Sequence, residues 1–114
     1  APFHCALMEP AARAMADALA AVEFKAPSVP VVANVTAQGE SDPAILKSLL
    51  VDQITGKVRW RESVLWMRDQ GVSDLVELGA GKVLSGLTRR IDRDVKSQSI
   101  ETPEQIEAFL GSLG

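Results

Sequence analysis

The 114-residue sequence holds a single imidazole, His4, and a single thiol, Cys5, directly beside it. Imidazole is the side chain best suited to take a proton from a nucleophile near neutral pH and return it later. A lone histidine is nevertheless more often a packing or surface residue than a reactive one. Consecutive residues at the start of a helix point in different directions, so a Cys5–His4 dyad is a poor fit, and Cys5 reads as a small buried hydrophobe. Both lie within five residues of the first residue, where a free end frays and holds geometry badly. The expectation is that polypeptide lies upstream.

The other candidates are weaker. Gly79-Ala80-Gly81-Lys82 falls between a predicted strand and a predicted helix, where backbone N–H groups can face an anion. It lacks the third small residue of the dinucleotide fingerprint, because Leu84 stands there, and the P-loop glycine and hydroxyl are Val76 and Val83. It reads as a structural turn. Arg89 and Arg90, with Lys82, form the one basic cluster suited to phosphate, although a solvated helix end accounts for them as well. Glu77 is open between a catalytic acid and the partner of a nearby base. No serine sits in a Gly-x-Ser-x-Gly elbow: Ser73 has Gly71 but Leu75, and Ser112 has Gly114 but Leu110.

The elements that must position these residues alternate between helix and strand. Met8, Met15, Leu19 and Val22 recur at helical spacing, predicting a helix over about 7–22 with Pro10 in its first turn. The run Val31–Val35 reads as a strand buried on both faces. Asp42 as cap, Pro43 as first residue and Gly56 as stop frame a second helix, with Ile45, Leu46, Leu49 and Leu50 on one face. A third helix spans roughly 62–70. A strand at 74–78, a helix at about 83–91, a weak strand around 95–100 and a helix opened by the capping box Thr102–Gln105 complete the chain. This alternation predicts an α/β fold with a mostly parallel sheet and flanking helices. Three strands make only a fragment of such a sheet.

Composition narrows the classes. With 46% hydrophobic and 24% charged residues the chain is balanced for a globular domain or part of one, and a net charge of −3 leaves no overall basic field for nucleic acid. One cysteine cannot form an internal disulfide or a cysteine-rich metal site, and the expectation is a cytoplasmic protein without a metal. No apolar stretch reaches the ~20 residues of a membrane span.

Four stretches, "PFHCALMEPAA", "VPVVANVTA", "LLVDQITGKVRWRESVLWM" and "GVSDLVELGAGKVLSGLTRRI", agree in order and spacing with one family. Together they resemble the C-terminal third of the malonyl-CoA:acyl-carrier-protein transacylases of bacterial fatty acid synthesis. The resemblance implies that residues 1–114 are the C-terminal portion of an α/β-hydrolase-like large domain, resuming after a small ferredoxin-like subdomain. It implies that His4 is the general base of a Ser/His pair whose serine lies upstream. Gln53 is implied to orient that histidine through its backbone carbonyl, Val83 to line the acyl and pantetheine channel, and Arg89 and Arg90 to engage coenzyme A phosphate or the acidic carrier protein. The implied partners are malonyl-CoA, acyl carrier protein and the remaining N-terminal part of the enzyme, with no resident cofactor, nucleic acid or membrane. The isolated segment is then expected to be inactive. A polyketide-type acyltransferase segment and a non-catalytic carrier-binding fragment are the alternatives.

Overall fold

Two helices start where the sequence places side-chain caps. In the computed structural model, which describes residues 1–114, Asp42 Oδ1 accepts from Ala44 N (2.8 Å) and Ile45 N (3.2 Å), opening α2 (Pro43–Thr55). Thr102 and Gln105 form the reciprocal capping box that opens α5 (Pro103–Ser112). Each satisfies backbone donors that a helix cannot satisfy for itself. The chain divides into two compact units, Ala1–Trp66 and Met67–Gly114.

In the first unit a 3-10 turn over Ala6–Met8 leads into α1 (Glu9–Ala20). This helix starts later and ends earlier than its apolar spacing predicts. Val22 N closes a turn on Leu19 O, and Lys47 of α2 donates its ammonium to the Val22 carbonyl while lying 5.1 Å from the Phe24 ring centroid. α1 packs against α2, with Ala12 and Leu46 buried. Val64, at the centre of α3 (Trp60–Asp69), is fully buried, a side chain worth about 1.5–3 kcal/mol when removed from water.

The strand expected over Val31–Val35 is reduced to β1 (Val31–Val32), and it is not covered on both faces, since Val31 is exposed. It pairs antiparallel with β2 (Gly39–Glu40), a fourth strand that nothing in the sequence pattern reveals. The chain reverses because Ala37 adopts a left-handed conformation (φ 55°) and its N–H returns to Ala33 O at 2.9 Å. Gly39 is required by a neighbour: a Cβ there would stand 2.7 Å from the Trp66 ring.

The second unit is a β–α–β crossover. β3 (Asp74–Leu78) and β4 (Lys96–Ile100) pair in parallel, from Asp74 opposite Lys96 to Leu78 opposite Ile100, and α4 (Val83–Ile91) packs on both. This is the parallel α/β pairing predicted from the alternation of elements. The buried face of α4 is small and polar. Ser85 and Thr88 are buried there, the Ser97 hydroxyl donates to Ser85 O (3.1 Å), and Thr88 Oγ1 donates to Leu84 O (2.9 Å). Val95 and Ile100 supply the apolar part of this core, while Leu78 and Val83 stay 76% and 70% exposed.

Candidate active site

His4 sits in the left-handed region with φ 56°, which few non-glycine residues occupy. Its ring reaches across 49 positions to place Nδ1 2.6 Å from the main-chain oxygen of Gln53. A carbonyl oxygen only accepts, so Nδ1 must carry a proton, and in the neutral ring Nε2 then has its lone pair free. The residue is exposed. A donor-fixed ring with one bare, accessible nitrogen is the arrangement of a general base. Strain of the αL kind is a feature of functional sites, where the surroundings hold a residue against its preference.

The acceptor is available because of where Gln53 lies. It is in the last turn of α2, whose final carbonyls lack intrahelical partners. Gly56 ends the helix, and a Cβ on it would come 2.8 Å from Val35 Cγ1 and 3.0 Å from Asp52 O. The missing side chain therefore lets the end of α2 lie against the loop after β1. That loop is tied down further by Arg59 N donating to Asn34 O (2.9 Å) and by Asn34 Nδ2 donating to Gln53 Oε1 at 3.4 Å. Asn34 is a neighbour of the site that the sequence did not single out, and a solitary asparagine in an apolar run gives no signal of it.

Cys5 makes no bond with His4. It is half-buried rather than buried, and its thiol donates to Pro2 O at 3.2 Å, bracing the loop that carries the histidine.

In the second unit, Arg89 and Arg90 lie in the last turn of α4 and line an open cleft of about 810 Å³ together with Arg93, Val95, Lys96 and Ser97. Lys82, expected to belong to this cluster, instead occupies the N-cap position at the other end of α4. Seven residues at 1.5 Å each separate the two ends by roughly 10 Å. Arg93 and Lys96 take its place, brought alongside by the return into β4. None of the four cations in the cleft forms an ion pair; the only salt bridges of the chain join Arg68 to Asp69 (2.9 Å) and Asp92 (2.7 Å). Hydrogen bonding to the Arg68 guanidinium and to Asp94 N holds the Asp92 carboxyl below its usual range.

Val83 is the first residue of α4, directly after the Gly79–Lys82 turn. Glu77, left open between acid and ion-pair partner, is committed elsewhere. Its carboxylate accepts from Ser85 N (2.9 Å), Ser85 Oγ (2.8 Å) and Leu84 N (3.3 Å), the donors at the start of α4. The backbone N–H of Ser85 above all, with the Ser85 hydroxyl and Leu84 N, pulls its pKa down, against the smaller effect of burial. A carboxyl so stabilised in its ionised form is a poor proton donor, and it has no cationic partner. The chain has no cluster of three or more histidine, cysteine or carboxylate side chains placed to hold a metal ion, and no helix is long and apolar enough to cross a membrane.

No protein-family model matches the chain. Individual proteins do. It is 45% identical over 109 residues to the malonyl CoA-acyl carrier protein transacylase of Salmonella typhimurium, covering 96% of this chain and 35% of that protein. The crystal structure of an acyl-carrier-protein S-malonyltransferase from Bartonella henselae superposes with a TM-score of 0.92 at 55% identity, covering 100% of this chain and 36% of that one. A type II PKS acyl-carrier protein in complex with its malonyl-transacylase matches with a TM-score of 0.84 at 40% identity, over 96% of this chain and 36% of that one. The chain thus spans about a third of the length of the curated relatives it matches. By sequence and by fold together, it corresponds over nearly its whole length to a segment of the malonyl-CoA:acyl-carrier-protein transacylase family.

Proposed function

We propose that this chain is the C-terminal portion of the large domain of an acyl-carrier-protein S-malonyltransferase, and that it supplies the general base while the nucleophilic serine lies outside residues 1–114. The observation that carries this is the 2.6 Å contact between His4 Nδ1 and Gln53 O, which leaves Nε2 as the proton acceptor. In the first half-reaction the serine hydroxyl gives its proton to Nε2 as its oxygen attacks the malonyl thioester carbonyl. The C–S bond then breaks, and the departing coenzyme A sulfur takes the proton back from the imidazolium. In the second half, the pantetheine thiol of the carrier protein gives its proton to Nε2, attacks the malonyl-serine ester, and the serine oxygen leaves with that proton. This is ping-pong acyl transfer without a resident cofactor. The carbonyl of Gln53 fixes the tautomer throughout, in the role that an aspartate fills in a catalytic triad.

Val83, exposed at the head of α4, is the proposed channel-lining residue, and Arg89 and Arg90 the proposed contacts to coenzyme A phosphate or to an acidic carrier. The unpaired cations of their cleft and the carrier protein in the related complex support that assignment. The exposed apolar side chain of Leu78 suits a surface that further polypeptide of the same enzyme covers. In this role the protein works in the cytoplasm, loading malonyl units for fatty acid synthesis.

The complete protein carrying this segment, incubated with malonyl-CoA alone, should gain the mass of one malonyl group. Peptide mapping should place that group on a serine outside residues 1–114. An adduct on Cys5 or on a serine within these residues, or no adduct at all, would overturn the proposal.

A further inference from the structure

The turn Gly79–Lys82 is poorly supported by packing. All four of its residues are exposed, a Cβ on Gly79 or Gly81 would touch nothing within 4 Å, and the N-cap residue Lys82 offers no side-chain cap to α4. Both glycines have left-handed φ values, 115° and 91°, so the segment is flexible by composition as well. Its conformation must therefore be set by hydrogen bonds at its edges.

Two carboxylates supply them. Glu77, two residues before the turn begins, takes the N–H groups of Leu84 and Ser85 and the Ser85 hydroxyl. Glu101, from the junction after β4, takes Gly81 N at 3.1 Å through Oε1. Glu101 is anchored in turn, since its own N–H donates to Gln105 Oε1 at 2.7 Å, within the capping box of α5. Gly79 N completes the set by continuing the strand ladder to Ile100 O at 3.1 Å. The turn is thus clamped by a negative charge on each side, and two of the free donors at the start of α4, Leu84 N and Ser85 N, are already used.

We infer that Glu77 and Glu101 are positioning residues for Val83: a double carboxylate clamp that sets where the head of α4 stands beside the bound acyl-pantetheine arm. The inference rests on the proposed role of Val83 as a channel-lining residue. A side chain 70% exposed has few contacts of its own to hold it, so its place is decided by the clamp.

The test is steady-state malonyl transfer by the complete protein carrying Glu77→Gln, Glu101→Ala or both, together with amide hydrogen exchange over residues 79–85. Each single variant should speed exchange of the Gly81–Ser85 amides about tenfold or more. Each should raise KM for the carrier protein several-fold while kcat falls less than twofold, and the double variant should exceed either single one. A merely structural role would lower the melting temperature and the amount of active enzyme without moving KM. Unchanged exchange in both single variants would overturn the clamp, as would faster exchange with KM unmoved. Val83→Ala in the otherwise native protein separates the two layers: if it leaves KM for the carrier untouched, the channel assignment of Val83 fails, whatever the glutamate variants show. Should Glu77→Gln not fold, Glu101→Ala, at an exposed position, carries the test alone.

Discussion

Replacing His4 with asparagine separates its chemistry from its place in the fold. Asparagine tolerates the left-handed backbone that His4 adopts at φ 56°. Its side-chain NH₂ can still donate toward the Gln53 carbonyl, in place of the Nδ1–H that lies 2.6 Å away. What it cannot do is accept and return a proton. General-base assistance accounts for about 10²–10⁴ in rate, equivalent to roughly 3–5 kcal/mol of barrier at 1.36 kcal/mol per decade. The structural loss is smaller: the residue is exposed, and the one hydrogen bond at stake is worth about 0.5–1.5 kcal/mol net even if it is lost altogether. Malonyl transfer by the complete protein to a holo-carrier should therefore fall at least a hundredfold (about two decades) in His4→Asn, with thermal unfolding close to that of the parent. His4→Ala should be as inactive and somewhat less stable, because alanine keeps the strained backbone without the hydrogen bond. Near-native transfer by His4→Asn would refute the reasoning, since the asparagine amide has no basic nitrogen to take the proton.

The remaining predictions concern the supports of the site. Thr102→Ala removes half of the capping box of α5 and should cost about 0.5–2 kcal/mol in chemical denaturation; no change in midpoint would show that the cap is idle. Glu77 has its carboxyl held below the ordinary value of 4.5, so the stabilisation it gives is fully present above that value and is lost as pH falls through the lower folded one. The stability gap between the parent and Glu77→Gln should accordingly be constant near neutrality and close as the medium is acidified; a gap independent of pH would count against the carboxylate. Arg89→Ala with Arg90→Ala should weaken carrier binding more at low salt than at high salt, because exposed charges are screened beyond about 10 Å at 0.1 M. An effect insensitive to salt would remove charge as its cause. Gln53→Ala keeps the carbonyl and should leave transfer largely intact, whereas Gly56→Ala forces a Cβ to 2.8 Å from Val35 Cγ1, shifts the end of α2 and should lower kcat; the reverse order would place the role in the glutamine side chain.

Much of the architecture was legible because it is local. Asp42 with Pro43, and Thr102 with Pro103 and Gln105, announce two helices through donors only a few residues away, and both helices begin where these residues stand. The strands at 74–78 and 96–100 and the helix between them follow the expected boundaries closely. Where the outcome depends on distant partners, the pattern was silent. Gly39–Glu40 has no apolar alternation and becomes a strand only because the Ala33–Ala37 turn folds it back on β1. Lys82 and Arg89 are seven positions apart in sequence and at opposite ends of a helix, while Arg93 and Lys96 join the arginines only through the return into β4. Glu77 could not be assigned from its neighbours, because the donors that occupy it lie seven and eight residues on, across two glycines. For the site itself, the pairing of His4 with Gln53 came from resemblance alone; no rule of spacing predicts a contact across 49 residues.

That pairing also bears on why a main-chain oxygen suits the position. A carboxylate placed against Nδ1 would bring a second titratable group to the site, whereas a carbonyl accepts the same hydrogen bond at any pH and adds no charge. The orienting group is then fixed by the geometry of the helix end and not by a side chain. In the proposed mechanism Gly56 and the loop after β1 consequently bear on the chemistry through the end of α2. The arrangement in the second unit follows the same logic in reverse: there the backbone donors at the head of α4 are held by side-chain carboxylates. In both places a helix terminus with unsatisfied backbone groups is the fixed point, at one end an acceptor that holds the His4 ring, at the other a set of donors that fixes a turn.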